Sequence, residues 1–423
     1  MTGEDRTRGG FEGLDACVHC GFCLQACPTF LATGDEADSP RGRIELMRGL
    51  ERGDIAATDI ALAYHLDRCL GCRGCEPVCP SGVHYGHGLE AARSRITAAR
   101  GTPRLARLAL WALTTPGVSG VVYWFARLLR SVVPRSVAGW GRIRFALGML
   151  AATKPAANEA AARKAAAKTP RRPLAAPSPP LAALLFRGCV MEGLFSHVHD
   201  ATRRTLAVNG YQVHEVPGQV CCGALHAHAG LLEEARALAR MNIAAFGDGD
   251  EPIVVNSAGC GALMKEYGHL VGEAQGERFG LRVRDVTELL AGDGTKGPVP
   301  GAPLDLHVAY DPPCHLLHAQ GVAVPPLKLF AAIPLLELVS VPGAAECCGS
   351  AGLFTLLEPE MSRQVLAAKL ERLREAAPQV VATGNPGCLM QLGAGLAAAG
   401  IHAHARHPVE LLDDAYRAAG RYE

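Results

Sequence analysis

Cys17-Val18-His19-Cys20-Gly21-Phe22-Cys23-Leu24-Gln25-Ala26-Cys27-Pro28 (residues 17–28) decides how this chain is read. The spacing Cys-x2-Cys-x2-Cys-x3-Cys-Pro returns unchanged at Cys69, Cys72, Cys75, Cys79 and Pro80. Two-residue spacers bring successive thiolates round one small, soft metal core. A proline after the last cysteine turns the chain away and adds no N–H donor. In two-cluster iron–sulfur proteins of this spacing, the fourth cysteine of each run ligates the other cluster. That rule gives Cys17, Cys20, Cys23 and Cys79 to one [4Fe–4S] cluster, and Cys69, Cys72, Cys75 and Cys27 to a second. Zinc sites instead use two-plus-two ligand sets across a longer spacer. Disulfides expect an oxidising compartment, and no signal peptide is expected of the opening residues.

The chain has 423 residues, enough for two to four domains, each able to bury a core. It is 49% hydrophobic and 20% charged, with a formal net charge of +1, so it carries no electrostatic footprint for nucleic acid. Sixteen cysteines are expected to be metal ligands in a reducing cytosol, and eight of them lie outside the two runs.

Residues 1–103 read as a helical ferredoxin-type domain behind a loose leader over 1–15. A capped start at Ser39-Pro40-Arg41-Gly42-Arg43 opens a helix to about Leu50, and a second helix runs from about Asp59 to Asp67. Helices, not short strands, thus separate the cysteine loops. Arg41 and Arg43 read equally as cluster-tuning or docking charges and as solvated helix-end charges. Residues 104–152 form an apolar helical connector. Leu108 to Ala126 is uncharged for 19 residues, but Pro116, Gly117, Ser119 and Gly120 interrupt it. Two short amphipathic helices are expected there, with Trp111, Tyr123 and Trp124 on buried or interfacial faces, packed into the core in preference to a membrane. Residues 153–180 read as a linker, helical in its Ala/Lys part and stiff at its Pro-rich end.

From Leu181 onward one unit is duplicated. Cys189, Cys221, Cys222 and Cys260 recur as Cys314, Cys347, Cys348 and Cys388, at offsets of 125, 126, 126 and 128 residues. The units span 181–300 and 301–423. Strands are expected at Leu181–Phe186, Tyr211–Val216 and Ile253–Asn256, and again at Leu306–Tyr310, Leu335–Val341 and Val380–Thr383. Helical patterns such as Leu231–Phe246 and Glu360–Ala376 fill the gaps, giving βαβαβ and a parallel sheet. Each cysteine follows a strand end, where ligands of such sheets gather. These eight thiols read as ligands of a further iron–sulfur centre or of zinc. His226, His228, His315 and His318 sit near them, as ligands, proton relays or plain polar neighbours. No phosphate loop, flavin or nicotinamide fingerprint, or Ser/His/Asp set is evident. The fold class is therefore α+β multidomain: a helical two-cluster ferredoxin domain followed by two homologous α/β parallel-sheet Cys-Cys-Gly units.

Two such runs followed by two Cys-Cys-Gly units resemble the iron–sulfur subunits of flavin-linked 2-hydroxyacid and glycerol-3-phosphate dehydrogenases, and of heterodisulfide reductases. Residues 16–23, 40–44, 66–70, 79–83, 257–262, 265–268 and 347–352 are similar to the glycolate oxidase (glycolate dehydrogenase) iron–sulfur subunit family. The resemblance implies FAD on a partner subunit that oxidises glycolate to glyoxylate. This chain would pass the electrons on, one at a time, to a quinone-type acceptor, with no catalytic residue of its own and no activity alone. It also implies a cytoplasmic protein at the inner face of the cell membrane, in peripheral contact with it. A lactate or glycerol-3-phosphate dehydrogenase subunit is the nearest alternative. The fullest units of this kind end in Cys-x2-Cys. Here Leu263 and Gln391 stand at the later position, which argues against heterodisulfide chemistry.

Overall fold

The computed structural model describes residues 10–155, 181–292 and 297–422. The first nine residues of the expected leader, and the linker from 156 to 180 with its expected helix and stiff end, lie outside the described residues.

Among the described residues up to 155 the regular elements are helical: α1 (Pro28–Thr33), α2 (Pro40–Arg52), α3 (Ile60–Asp67) and α4 (Tyr85–Arg100) come first. Ser39 Oγ accepts the Gly42 N–H at the start of α2, with Pro40 in its first turn, and Asp59 caps α3 in the same way. Gly42 is required by contact, because a Cβ there would lie 2.0 Å from the Glu36 carbonyl oxygen. Phe11, Leu14, Met47, Leu62, Leu66 and Leu89 fill the core beneath the cysteine loops.

The uncharged run of the connector forms the two helices expected of it, α5 (Arg104–Thr114) and α6 (Val118–Val132), broken at 115–117, and a third, α7 (Arg142–Ala151), follows. Tyr123 is buried, but Trp111 is 52% and Trp124 is 55% exposed, so the expected core packing holds for one face only. Ala106, Leu110 and Phe145 share that inner face, while Leu105, Leu108, Phe125 and Leu128 look outward. The run is apolar on both faces, and composition alone does not tell which face meets protein. No single helix among the described residues is long and apolar enough to cross a membrane; α5 and α6 pass the test only as a pair, bent by 91°.

Each duplicated unit is a four-stranded parallel sheet. Strands β1 (Leu181–Phe186), β2 (Tyr211–Glu215), β3 (Ile253–Val255) and β4 (Val283–Asp285) lie in the order β2-β1-β3-β4. Strands β5 (Leu306–Tyr310), β6 (Leu336–Leu338), β7 (Val380–Ala382) and β8 (His404–Arg406) repeat it as β6-β5-β7-β8. The fourth strand of each sheet was not expected. Three-residue edge strands between helices are too short for alternation to register. β6 is also shorter than the expected 335–341. The two units share one core, in which Leu185, Val198, Val254 and Leu290 pack with Val308, Phe330, Val380 and Leu412. Arg204 clamps it from the rim, its Nε and Nη2 donating to the buried Asp413 carboxylate at 2.8 and 2.7 Å.

Candidate iron–sulfur centres

The first cysteine run closes on the second. One cavity is lined by Cys17, Cys20, Cys23 and Cys79, and by Cys75. A second is lined by Cys27, Cys69, Cys72 and Cys75. Each cavity brings together the four cysteines of one crossed set, the first with Cys75 in addition. Local backbone explains how. His19 and Gly21 in the first run, and Gly71 and Arg73 in the second, all have φ between +56° and +87°. A left-handed residue in each spacer is what bends three thiols round a common centre. Glycine takes one of these positions in each run, but not the same one.

Burial differs between the two sites. Cys20 is exposed, flanked by Val18 at 68% and Phe22 at 67% exposure, so the first site reaches the surface. The second is internal. Burial pushes the Cys75 and Cys72 thiols up, while the Gly71 N–H and the Tyr85 hydroxyl donate to Cys69 Sγ at 3.4 Å. Hydrogen bonds to sulfur of this kind raise a cluster's potential. Sequence left the two arginines undecided. Arg41 lies at the first cavity's surface, paired to Glu36 at 2.6 Å and donating to the His19 carbonyl. Arg43 is fully buried beside the second cavity, donating to His65 O, Thr29 Oγ1 and Asp38 Oδ1.

The eight remaining cysteines meet in one place. Cys189, Cys221, Cys222 and Cys260 of the first unit and Cys314, Cys347, Cys348 and Cys388 of the second line a single cavity of about 180 Å³ between the sheets. In each unit the first and last cysteines follow the two central strands, β1 and β3 or β5 and β7, where the chain order reverses and the crevice forms. Spacing gave two sets of four; their facing across one cavity is visible only in the fold. Asn385 sits at the junction. Its Oδ1 accepts from Ser257 Oγ and the Gly259 N–H, and its Nδ2 lies 3.5 Å from Cys388 Sγ. Leu263 is buried, and Gln391 is held by Ser362 and Thr355, so neither unit offers a fifth ligand. Of the histidines, His228 and His315 line this cavity; His226 is buried with its Nδ1 unpartnered, and His318 Nε2 is held by the Ala345 carbonyl. Lys369, which sequence gave no reason to single out, is buried beneath Cys347 and Cys348 and paired to Asp311.

The donor sets suit clusters better than single ions. Tetrahedral zinc at ~2.3 Å from each sulfur holds its thiolates roughly 3.8 Å apart. Among the described residues, which include all sixteen cysteines, the only trio of ligating atoms within 4.8 Å of one another is Asp35, Asp38 and His65. A multi-iron core spreads its thiolates wider than one ion does. Thiol-to-thiol hydrogen bonds hold Cys221 and Cys314 low, while the same bonds and burial push Cys189, Cys222 and Cys347 up; holding all eight as thiolates would take a cationic core.

Residues 13–83 match the 4Fe-4S dicluster domain, and residues 183–265 and 308–393 match the cysteine-rich domain. Over 96% of its length the chain is 33% identical to the probable glycolate oxidase iron-sulfur subunit of Bacillus subtilis (strain 168), covering 94% of that protein. The figures for the glycolate oxidase iron-sulfur subunit of Escherichia coli (strain K12) are 33%, 95% and 94%. The chain belongs to the glycolate oxidase iron–sulfur subunit family. Its members carry iron–sulfur clusters and transfer electrons as subunits of an oxidoreductase. Lactate utilization protein A of Geobacillus kaustophilus (strain HTA426) is 30% identical over 54% of this chain and 97% of its own length.

Proposed function

We propose that this chain relays electrons from an FAD-bearing partner, which oxidises glycolate to glyoxylate, toward a quinone-type acceptor. One [4Fe–4S] cluster is held by Cys17, Cys20, Cys23 and Cys79, a second by Cys69, Cys72, Cys75 and Cys27, and a further iron–sulfur centre by cysteines of the shared cavity. A flavin collects two electrons at once from its substrate, and such clusters carry them away one at a time. The observation that carries the reading is continuity. Cys75 lines both the first and second thiol cavities, and Leu70 lines both the second and the third. The chain's own residues set direction: the exposed Val18 and Phe22 beside Cys20 offer a donor protein an apolar landing next to the first site. Cys17→Ser or Cys69→Ser in the complex should abolish acceptor reduction and spare reduction of the flavin by glycolate, read by rapid-mixing absorbance. Unchanged acceptor reduction in both variants overturns the relay.

The same reading puts the chain in the cytoplasm, in peripheral contact with the inner face of the membrane. Between Glu90 and Glu159 there is no acidic residue, while Arg104, Arg107, Arg127, Arg142 and Arg144 flank outward-facing Leu108, Trp111, Trp124, Phe125 and Leu129. A basic, aromatic, bent helix pair of this kind suits an anionic lipid interface. Flotation with vesicles containing phosphatidylglycerol, lost in Trp111→Ser/Trp124→Ser, tests it.

A further inference from the structure

Beside the second cysteine site lies a larger cavity, about 590 Å³, that the relay itself does not use. We propose that this cavity, between α4, α5 and the loop at 351–358, is where a lipophilic quinone binds and is reduced. The inference rests on the proposed relay and gives it an outlet.

Position is the first argument. Cys69 and Leu70 form part of the wall, and the cavity shares Leu225, His228, Ala351 and Leu353 with the eight-cysteine cavity. A ring held there touches the boundary of both thiol-lined sites. Lining chemistry is the second. Ile96, Ala106, Leu225, Leu353, Phe354 and Leu357 supply apolar surface, and the volume lies within the range of small-molecule sites. Two of the three lining arginines are engaged elsewhere: Arg93 donates to the carbonyls of Leu66, Asp67 and Cys69, and Arg100 to those of Thr58 and Asp59, so both guanidiniums brace the wall, and the carboxyls of Asp67 and Glu358 balance Arg104 in the lining. The His228 ring stands at the seam of the two cavities, edge-on to His315 at 5.3 Å, as the polar group for a neutral ring's carbonyl oxygen. Access is the third. Asp67, Arg100, Gly101, Pro103, Arg104 and Leu357 are the exposed lining residues, so the mouth adjoins the first turn of α5 and its outward-facing Leu105 and Leu108. An isoprenoid or alkyl tail leaving the mouth meets that apolar face. In the cavity one quinone takes up two electrons and two protons to give one hydroquinone. The electrons come from the 2-hydroxy acid oxidised on the partner and the protons from solvent at the mouth.

The test uses the complete complex, with decylubiquinone as acceptor and an azido derivative of it as photolabel. Ala106→Trp fills the cavity and Leu357→Trp narrows its mouth; neither residue lines a cysteine cavity. We expect the KM for decylubiquinone to rise about tenfold or more in both, with glycolate reduction of the flavin and ferricyanide reduction unchanged. Photolabel on the wild-type complex should map to peptides within 93–106, 225–229 or 351–358, and excess decylubiquinone should displace it. Unaltered quinone kinetics in both variants, or label confined to other peptides or another subunit, overturns the site. A wild-type complex that reduces ferricyanide but no quinone overturns the proposed acceptor, and the site with it.

Discussion

Replacing Arg43 by glutamine should destabilise the N-terminal lobe more than any other single charge removal there. The side chain is fully buried and makes three hydrogen bonds, 2.7 Å to His65 O, 2.9 Å to Thr29 Oγ1 and 3.1 Å to Asp38 Oδ1. Burial works against its charge, but Cys69, Tyr85, Cys27 and Asp38 outweigh that and hold the guanidinium ionised. Breaking a buried ion pair costs about 3–5 kcal/mol, because the partner charge is stranded. Here Asp38 keeps Arg68 at 2.9 Å and His65 at 3.0 Å, so the loss belongs at the low end. We expect about 3 kcal/mol, roughly a hundredfold in the folding equilibrium. Anaerobic urea unfolding of the cluster-loaded protein, followed by loss of visible cluster absorbance, reads it. Arg43→Lys keeps the charge but not the three-way fork, and should recover only part of the loss. A change below about 1 kcal/mol in Arg43→Gln would refute the assignment of Arg43 as the brace between α2, α3 and the second site.

Three further outcomes are expected. Cys79→Ser should remove the cluster of Cys17, Cys20 and Cys23 and spare the other, and Cys27→Ser the reverse; each loses about four irons per chain by iron and sulfide analysis with EPR, and loss of the same-run cluster instead contradicts the crossed sets. Acid should loosen the joint between the duplicated units. Burial lowers His199 to about 3 and His407 to about 4, and each Nδ1 faces an N–H donor, from Asn256 Nδ2 and the Val409 backbone respectively. Because the folded values lie below the unfolded ~6.5, this stability is complete above pH ~6.5 and lost as pH falls toward ~4, at up to ~2.7 kcal/mol per pH unit for two protons. Urea midpoints that stay level from pH 7 to 5 would sink this account. Gly193→Ala should cost about 1–3 kcal/mol, since its Cβ would lie 2.4 Å from the Tyr123 ring that docks α6 on the first unit; a neutral effect on the thermal midpoint means that α6 is not docked there.

How much was legible follows from how local each signal is. A cysteine run is a local object: spacers of two residues with one left-handed turn each fix three thiols from sequence, and duplication supplied the crossed fourth. Strands β1 and β5 matched expectation to the residue, because six consecutive apolar residues, and five broken only by His307, announce themselves. β4 and β8, at three residues, did not.

Sequence by itself thus determined the two cluster-type cysteine runs, the repeat and the strand-to-cysteine spacing, the runs and the spacing being set by neighbours a few residues apart. Only tertiary structure decided what lies across a gap. It brought the eight later thiols to one cavity, because the two sheets bury a common apolar core and so face their crevices inward. It also sank Arg43 beside the second site while Arg41, two residues earlier, stayed at the surface. And it turned one face of α5 and α6 outward: an apolar side chain reads the same in sequence whether protein, lipid or water covers it, and only the packing of neighbouring elements makes the choice.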